Sequence, residues 1–276
     1  MPAVSTSQRT YRYLRLALAG APVAMMLAVL FAIPDVGVLP SVSHYFYTSA
    51  RTVFSAALVA AAACLVALSG RGPQRVLLDV AALLAPLVAI VPTPISAGEV
   101  PGVAVDCIAP CVPVPFADDL DNALATYLAV GAVVVAIGLV LVRRGDVALR
   151  DTGPTLALTA AVLAAVAGLW TLAPRILVGQ VHVAAAVGFF AVIALVALAE
   201  AVRPSADHPP ARRMRIGYVI IALALLIDLT ATFAFGVVAD LPVVLVGELV
   251  ALGLFVLFWM MQTAQKWSTP DPSLRR

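Results

Sequence analysis

SVSHYFYTSARTVFSAALVAAAACLVALSGRG, residues 41–72, opens with polar, aromatic and basic side chains, continues as an apolar helix, and ends in a basic turn. His44, Tyr45, Tyr47 and Arg51 crowd the mouth of that helix. Polar groups at such a place are costly in hydrocarbon and have a reason to stay. The surrounding chain carries the same signal. Of 276 residues, 63% are hydrophobic and 12% charged, with a mean hydropathy of +1.05. A soluble domain averages about 45–50% apolar and about 25% charged, so the composition points to the bilayer as solvent.

Apolar runs of about 18 residues or more are read as spans. Eight are expected: 14–33, 53–69, 76–91, 123–142, 155–172, 176–199, 216–237 and 243–261. The flanking charges support that number. Arg9, Arg12, Arg15, Arg71, Arg75, Arg143, Arg144, Arg150, Arg203, Arg212, Arg213, Arg215, Lys266, Arg275 and Arg276 fall on one side, and Arg51 and Arg175 on the other. By the positive-inside rule both termini are cytoplasmic. The expected fold is therefore all-α, a polytopic integral membrane helix bundle in a bacterial inner or plasma membrane. Its parts are a basic segment (1–13), one transmembrane domain (14–263) and a cytoplasmic tail (264–276).

Local composition sharpens the picture. Pro22 predicts a kink in the first helix, which is too long for a cleaved leader and lacks a persuasive small-residue cleavage site. The alanines from Ala56 to Ala63 let backbones approach closely, which places the second helix centrally. The fourth helix has almost no polar side chain beyond Tyr127 and reads as peripheral. Residues 94–121 form a proline-rich acidic loop with Glu99, Asp106, Asp118, Asp119 and Asp121 and no Lys or Arg. Cys107 and Cys111 within it are a disulfide candidate, because on the oxidising side of a membrane nearby thiols tend to pair. Cys64 reads as core packing.

Carboxylates inside spans are the strongest functional pointers. Asp79 sits near Arg75 at an inner end and is explained by an interfacial pair. Asp228 lies roughly 15 Å and Glu248 roughly 8 Å below the outer surface, at 1.5 Å per residue. With His182 and the residues at the mouth, they suggest an outer-side pocket lined by His44, Tyr45, Tyr47, Arg51, His182, Asp228 and Glu248 for a lipid headgroup or small polar ligand. The competing account is structural: Arg51 pairs with Glu248 or Asp228, the histidines bond carbonyls, and the tyrosines join the interfacial belt.

A sequence pattern adds to this. Residues 41–58 resemble the S-[IV]-S-x-Y-[YF]-Y-T-x-x-R-x-[VI]-F opening of bacterial six-helix membrane proteins in or near the family known as domain of unknown function 998. The Val91-Pro92-Thr93 end of the third helix, His182 through Phe190, and Glu248 are similar to further family motifs. The resemblance implies importance for His44, Tyr47, Thr48, Arg51, Phe54, Pro92, Thr93, His182 and Glu248, and implies no activity. It leaves the acidic cysteine loop and the fourth and fifth helices as additions.

The leading expectation is a non-enzymatic membrane protein with membrane lipids around it, no cofactor and no nucleic-acid partner. One alternative is a metal-dependent hydrolase in which His44 and His182, with Asp228 or Glu248, hold Zn2+ and activate water. No paired spacing on one helix face supports such a centre. Another is a scaffold using the acidic loop and the Arg212-Arg213 face; no protein partner is specified by the sequence. No nucleotide-binding glycine loop, haem motif or nucleophile elbow occurs.

Overall fold

The computed structural model describes residues 5–69, 74–202, 209–236 and 242–267. Arg71, Arg203, Arg275, Arg276, the tail from 268 and the expected helix end at Val237 lie outside the described residues. The elements are α1 (Thr6–Val36), a 3-10 turn (Val42–Tyr47), α2 (Arg51–Leu68), α3 (Gln74–Ile90), α4 (Val114–Arg144), α5 (Leu149–Leu172), α6 (Pro174–Val202), α7 (Arg212–Phe235) and α8 (Val243–Gln265). Among the described residues, a lone antiparallel bridge between Ile95 and Cys111 is the sole β pairing. Seven helices among the described residues are long and apolar enough to cross a membrane, and the protein is an all-α, multi-pass membrane helix bundle.

α3 has 17 residues, about 25 Å of helix, and it runs from one end of the bundle to the other. Its second turn is held where Asp79 accepts from Thr155 Oγ1 at 2.9 Å, in the second turn of α5. Just beyond its last turn, the Val91 carbonyl meets His182 at 2.6 Å. Arg75 approaches Asp79 at 3.7 Å, one turn away on the same helix, which is the interfacial pair expected from the sequence.

Several helices begin earlier than their apolar runs. α1 starts at Thr6 because Ser5 caps it, its Oγ accepting from the Gln8 amide at 3.2 Å. α4 starts at Val114, nine residues before the expected 123, so the loop ends at Pro113 and Asp118, Asp119 and Asp121 ride on helix. A proline at the first helical turn costs no hydrogen bond. A hydropathy window does not register that effect. α5 likewise begins at Leu149 and carries Pro154 inside it.

The packing order explains how the site is built. α1 packs on α2, α2 on α3, α3 on α6, α6 on α7, α7 on α8, and α8 back on α1, which closes a ring of six. α4 and α5 pair with each other and lean on α3 and α6 from outside. α4 buries only Leu120 and Leu124, in keeping with its expected peripheral place. Two apolar cores fill the ring. One, around Leu65, Ala81, Ile193, Tyr218, Phe255 and Trp259, lies toward the end bearing the starts of α1 and α7. The other, around Val29, Tyr45, Phe54, Val91, Leu124 and Leu177, lies toward the 3-10 turn. A cavity of about 410 Å3 lies at their junction and touches all six ring helices.

Candidate functional site

The 3-10 turn caps one end of that cavity, and its conformation follows from its sequence. Gly37 leaves α1 at φ 76°, a left-handed value that favours glycine. Tyr45 then braces the reversal, its hydroxyl donating to the Gly37 carbonyl at 3.1 Å and accepting from the Leu39 amide at 3.2 Å. Ser41 caps the turn, its Oγ accepting from the His44 amide at 3.2 Å. The Leu245 amide donates to the Pro40 carbonyl at 3.0 Å and ties the start of α8 to the same segment. Ser43 and His44 are thereby brought to the cavity wall.

Four of the seven expected pocket residues line the cavity: His44, His182, Asp228 and Glu248. Glu248 accepts from the Val42 amide at one oxygen and meets Ser43 Oγ at 3.0 Å with the other. His182 is buried and bonds Val91 O through Nδ1 at 2.6 Å and Ser43 Oγ through Nε2 at 2.8 Å. The carbonyl only accepts, so Nδ1 carries a proton. His44 faces Ser41 Oγ through Nδ1 at 2.6 Å and Glu99 through Nε2 at 3.5 Å. Burial pushes the His44 imidazole below its ordinary pKa, with the Glu99 charge opposing. Asp228 lines the cavity from α7, and no partner for its carboxylate occurs among the described residues.

The other three point elsewhere. Arg51 pairs with Asp119 at 2.8 Å and lies over the rings of Phe46 and Phe116 at 4.7 and 5.1 Å. This corrects both earlier expectations for it, as a pocket residue and as the partner of Asp228 or Glu248. The early start of α4 brings Asp119 within reach, so the Arg51 guanidinium is satisfied outside the ring. Tyr47 donates to the Thr93 carbonyl at 2.7 Å, and burial pushes its phenol pKa up against the opposing Arg51 charge. Tyr45 is wholly buried in its brace. The tyrosines thus hold the turn together.

Sequence reasoning passed over Ser41 and Ser43, because serine at a span mouth carries little signal alone. Their spacing with His44 was the available clue. It also passed over Glu200, placed just past the expected end of the sixth span. This carboxylate is fully buried at the opposite end of the bundle, paired with Lys266 Nζ and accepting from Gln262 Nε2 at 3.0 Å.

The loop from α3 to α4 closes over the outside of the turn. Ile95 and Cys111 exchange both backbone hydrogen bonds, at 3.0 and 3.1 Å. Cys107 and Cys111 are joined in a disulfide, and Cys64 is a buried free thiol. Trp170 Nε1 donates to Asp121 at 2.9 Å and fastens the end of α5 to the start of α4.

The chemistry available is hydrogen bonding and charge. The Ser43–His182–Val91 arrangement has the order of nucleophile, base and orienting group. Acyl transfer also needs amide donors for an oxyanion, and the Val42 and His44 amides beside Ser43 already serve Glu248 and Ser41. Among the described residues no three of His, Cys, Asp and Glu converge to hold a metal ion. Compared with family models, curated proteins and solved structures, the chain matches none.

Proposed function

We propose that this integral membrane protein is a binding protein that holds one amphiphilic molecule in the cavity of its six-helix ring. The observation that carries the reading is the cavity itself. At about 410 Å3 it falls within the range of small-molecule sites. Met25, Ala57, Phe189, Leu252 and Phe255 make its walls apolar, while Ser41, Ser43, His44, His182 and Glu248 collect at one end. An apolar chain fits the first region and a small hydrogen-bonding head the second. This narrows the expected lipid headgroup or small polar ligand to a molecule with both parts.

Lipid extraction followed by mass spectrometry tests the reading. Purified protein should carry a stoichiometric amphiphile, and Ala57→Phe on α2 and Ala251→Phe on α8, which each add a ring to a cavity-lining position, should each displace it. Equal lipid in all three proteins would refute the proposal. The hydrolase and scaffold alternatives have no comparable observation in their favour.

The same reading puts both termini in the cytoplasm of a bacterial inner or plasma membrane, with α3 as an eighth crossing. The charge distribution supports this, as does the gathering of Arg12, Arg15, Arg215 and Lys266 at one end of the bundle. A membrane-impermeant maleimide applied to intact cells should label Cys107 and Cys111 only after reduction. Labelling confined to lysed cells would reverse the orientation. The resemblance to domain of unknown function 998 supports treating the ring as a six-helix core, with α4 and α5 added beside it.

A further inference from the structure

We infer that the head of the bound amphiphile is a cation, an amine or quaternary ammonium group, and that it enters in exchange for one proton held by Glu248, Ser43 and His182. The inference rests on the amphiphile-binding reading and follows from two features of the cavity.

The first is charge. Among the described residues no Lys or Arg lines the cavity, and Arg51 is spent on Asp119 outside the ring. The titratable groups facing it are Glu248 from α8, Asp228 from α7, His182 from α6 and His44 from the 3-10 turn, while α1, α2 and α3 present none. Glu99 stands behind His44 and is engaged by that imidazole and by the Ser96 amide at 2.7 Å. The two carboxylates are close along the bundle. Thr232, one turn from Asp228 on α7, packs directly on Gly247, the neighbour of Glu248 on α8. An anionic head would meet two carboxylates with no cation beside them, whereas a cationic head would complement them.

The second is a proton count. Ser43 Oγ touches His182 Nε2 at 2.8 Å and Glu248 at 3.0 Å. Its one hydroxyl proton can fill only one of these contacts, and His182 Nδ1–H is committed to Val91 O. With Glu248 ionised and His182 neutral, the other contact sets lone pair against lone pair. One additional proton, on Glu248 or on Nε2, fills both. The trio is therefore complete when it holds that proton and is neutral as a unit. When the proton leaves, a single negative charge remains on the trio, facing the cavity. A bound cation neutralises that charge, so proton and cation exclude each other by charge and the exchange balances one for one.

Decyltrimethylammonium, below its micelle-forming concentration, is the test ligand, because it has no proton of its own to give. Titration calorimetry of the nanodisc-held protein in two buffers of different ionisation enthalpy counts the protons released, with empty nanodiscs as the blank. Decyl sulfate and 1-decanol serve as anionic and neutral comparators. The expected result is binding of the cation with release of about one proton, affinity rising about tenfold per pH unit while the site is protonated, and decyl sulfate at least tenfold weaker. Glu248→Gln should abolish the proton release, and Asp228→Asn should weaken binding while retaining it. Equal affinity for all three ligands, or cation binding without proton release in the wild-type protein, overturns this inference and leaves the amphiphile site standing. Binding of none of the three overturns both.

Discussion

Replacing Lys266 by methionine should destabilise the protein strongly, and replacing Glu200 by glutamine at the same time should restore most of the loss. Glu200 has no exposed surface. One of its oxygens pairs with Lys266 Nζ and accepts from Gln262 Nε2, while the other has no hydrogen-bond partner. Removing the ammonium leaves a buried carboxylate with a single amide donor. Breaking a buried pair in this way costs about 3–5 kcal/mol. For a chain of this size each kcal/mol shifts the melting temperature by about 2–4 °C, so Lys266→Met should melt about 6–20 °C lower. The double variant removes both charges and keeps an amide facing Gln262, so it should fall within about 2 kcal/mol of wild type. Thermal unfolding in detergent, followed by circular dichroism at 222 nm, measures both. A Lys266→Met protein as stable as wild type, or a double variant as unstable as the single one, would refute the reasoning.

Gly247→Ala would drive its methyl group into Thr232 Oγ1. It should cost about 1–3 kcal/mol by overpacking, and Thr232→Ala should reverse that loss, read as melting temperatures of the single and double variants. Arg51→Gln removes a half-exposed ion pair and two ring contacts, together about 1–2 kcal/mol. It should leave decyltrimethylammonium affinity within twofold, and a large loss of affinity would return Arg51 to the cavity. His44 is held by burial below the ordinary histidine pKa, so the unfolded chain takes up its proton first as pH falls. The stability contributed by neutral His44 is thus present above about pH 6.5 and lost as pH drops through the folded value. The stability difference between wild type and His44→Gln should shift against wild type on acidification, and a pH-independent difference would contradict the assigned burial.

By itself the sequence determined the solvent and the places of the apolar helices, of which seven of the expected eight are long and apolar enough to cross a membrane among the described residues, because length and mean hydropathy act along the chain without reference to neighbours. The placement of arginines carried the sidedness reading in the same local way. It also singled out His44, His182, Asp228 and Glu248, since ionisable groups at depth stand out against apolar residues. Tertiary structure decided which of them meet. Arg51 turned outward because α4 begins nine residues before its apolar run and delivers Asp119, in a polar first stretch of helix that hydropathy does not register. Ser43 became the centre of the site because a 3-10 turn aims its hydroxyl between α6 and α8, while Glu200 found Lys266 across 66 residues. The order in which the helices close into a ring follows from the fit of side chains between faces, and no periodicity within a single helix records what lies opposite it.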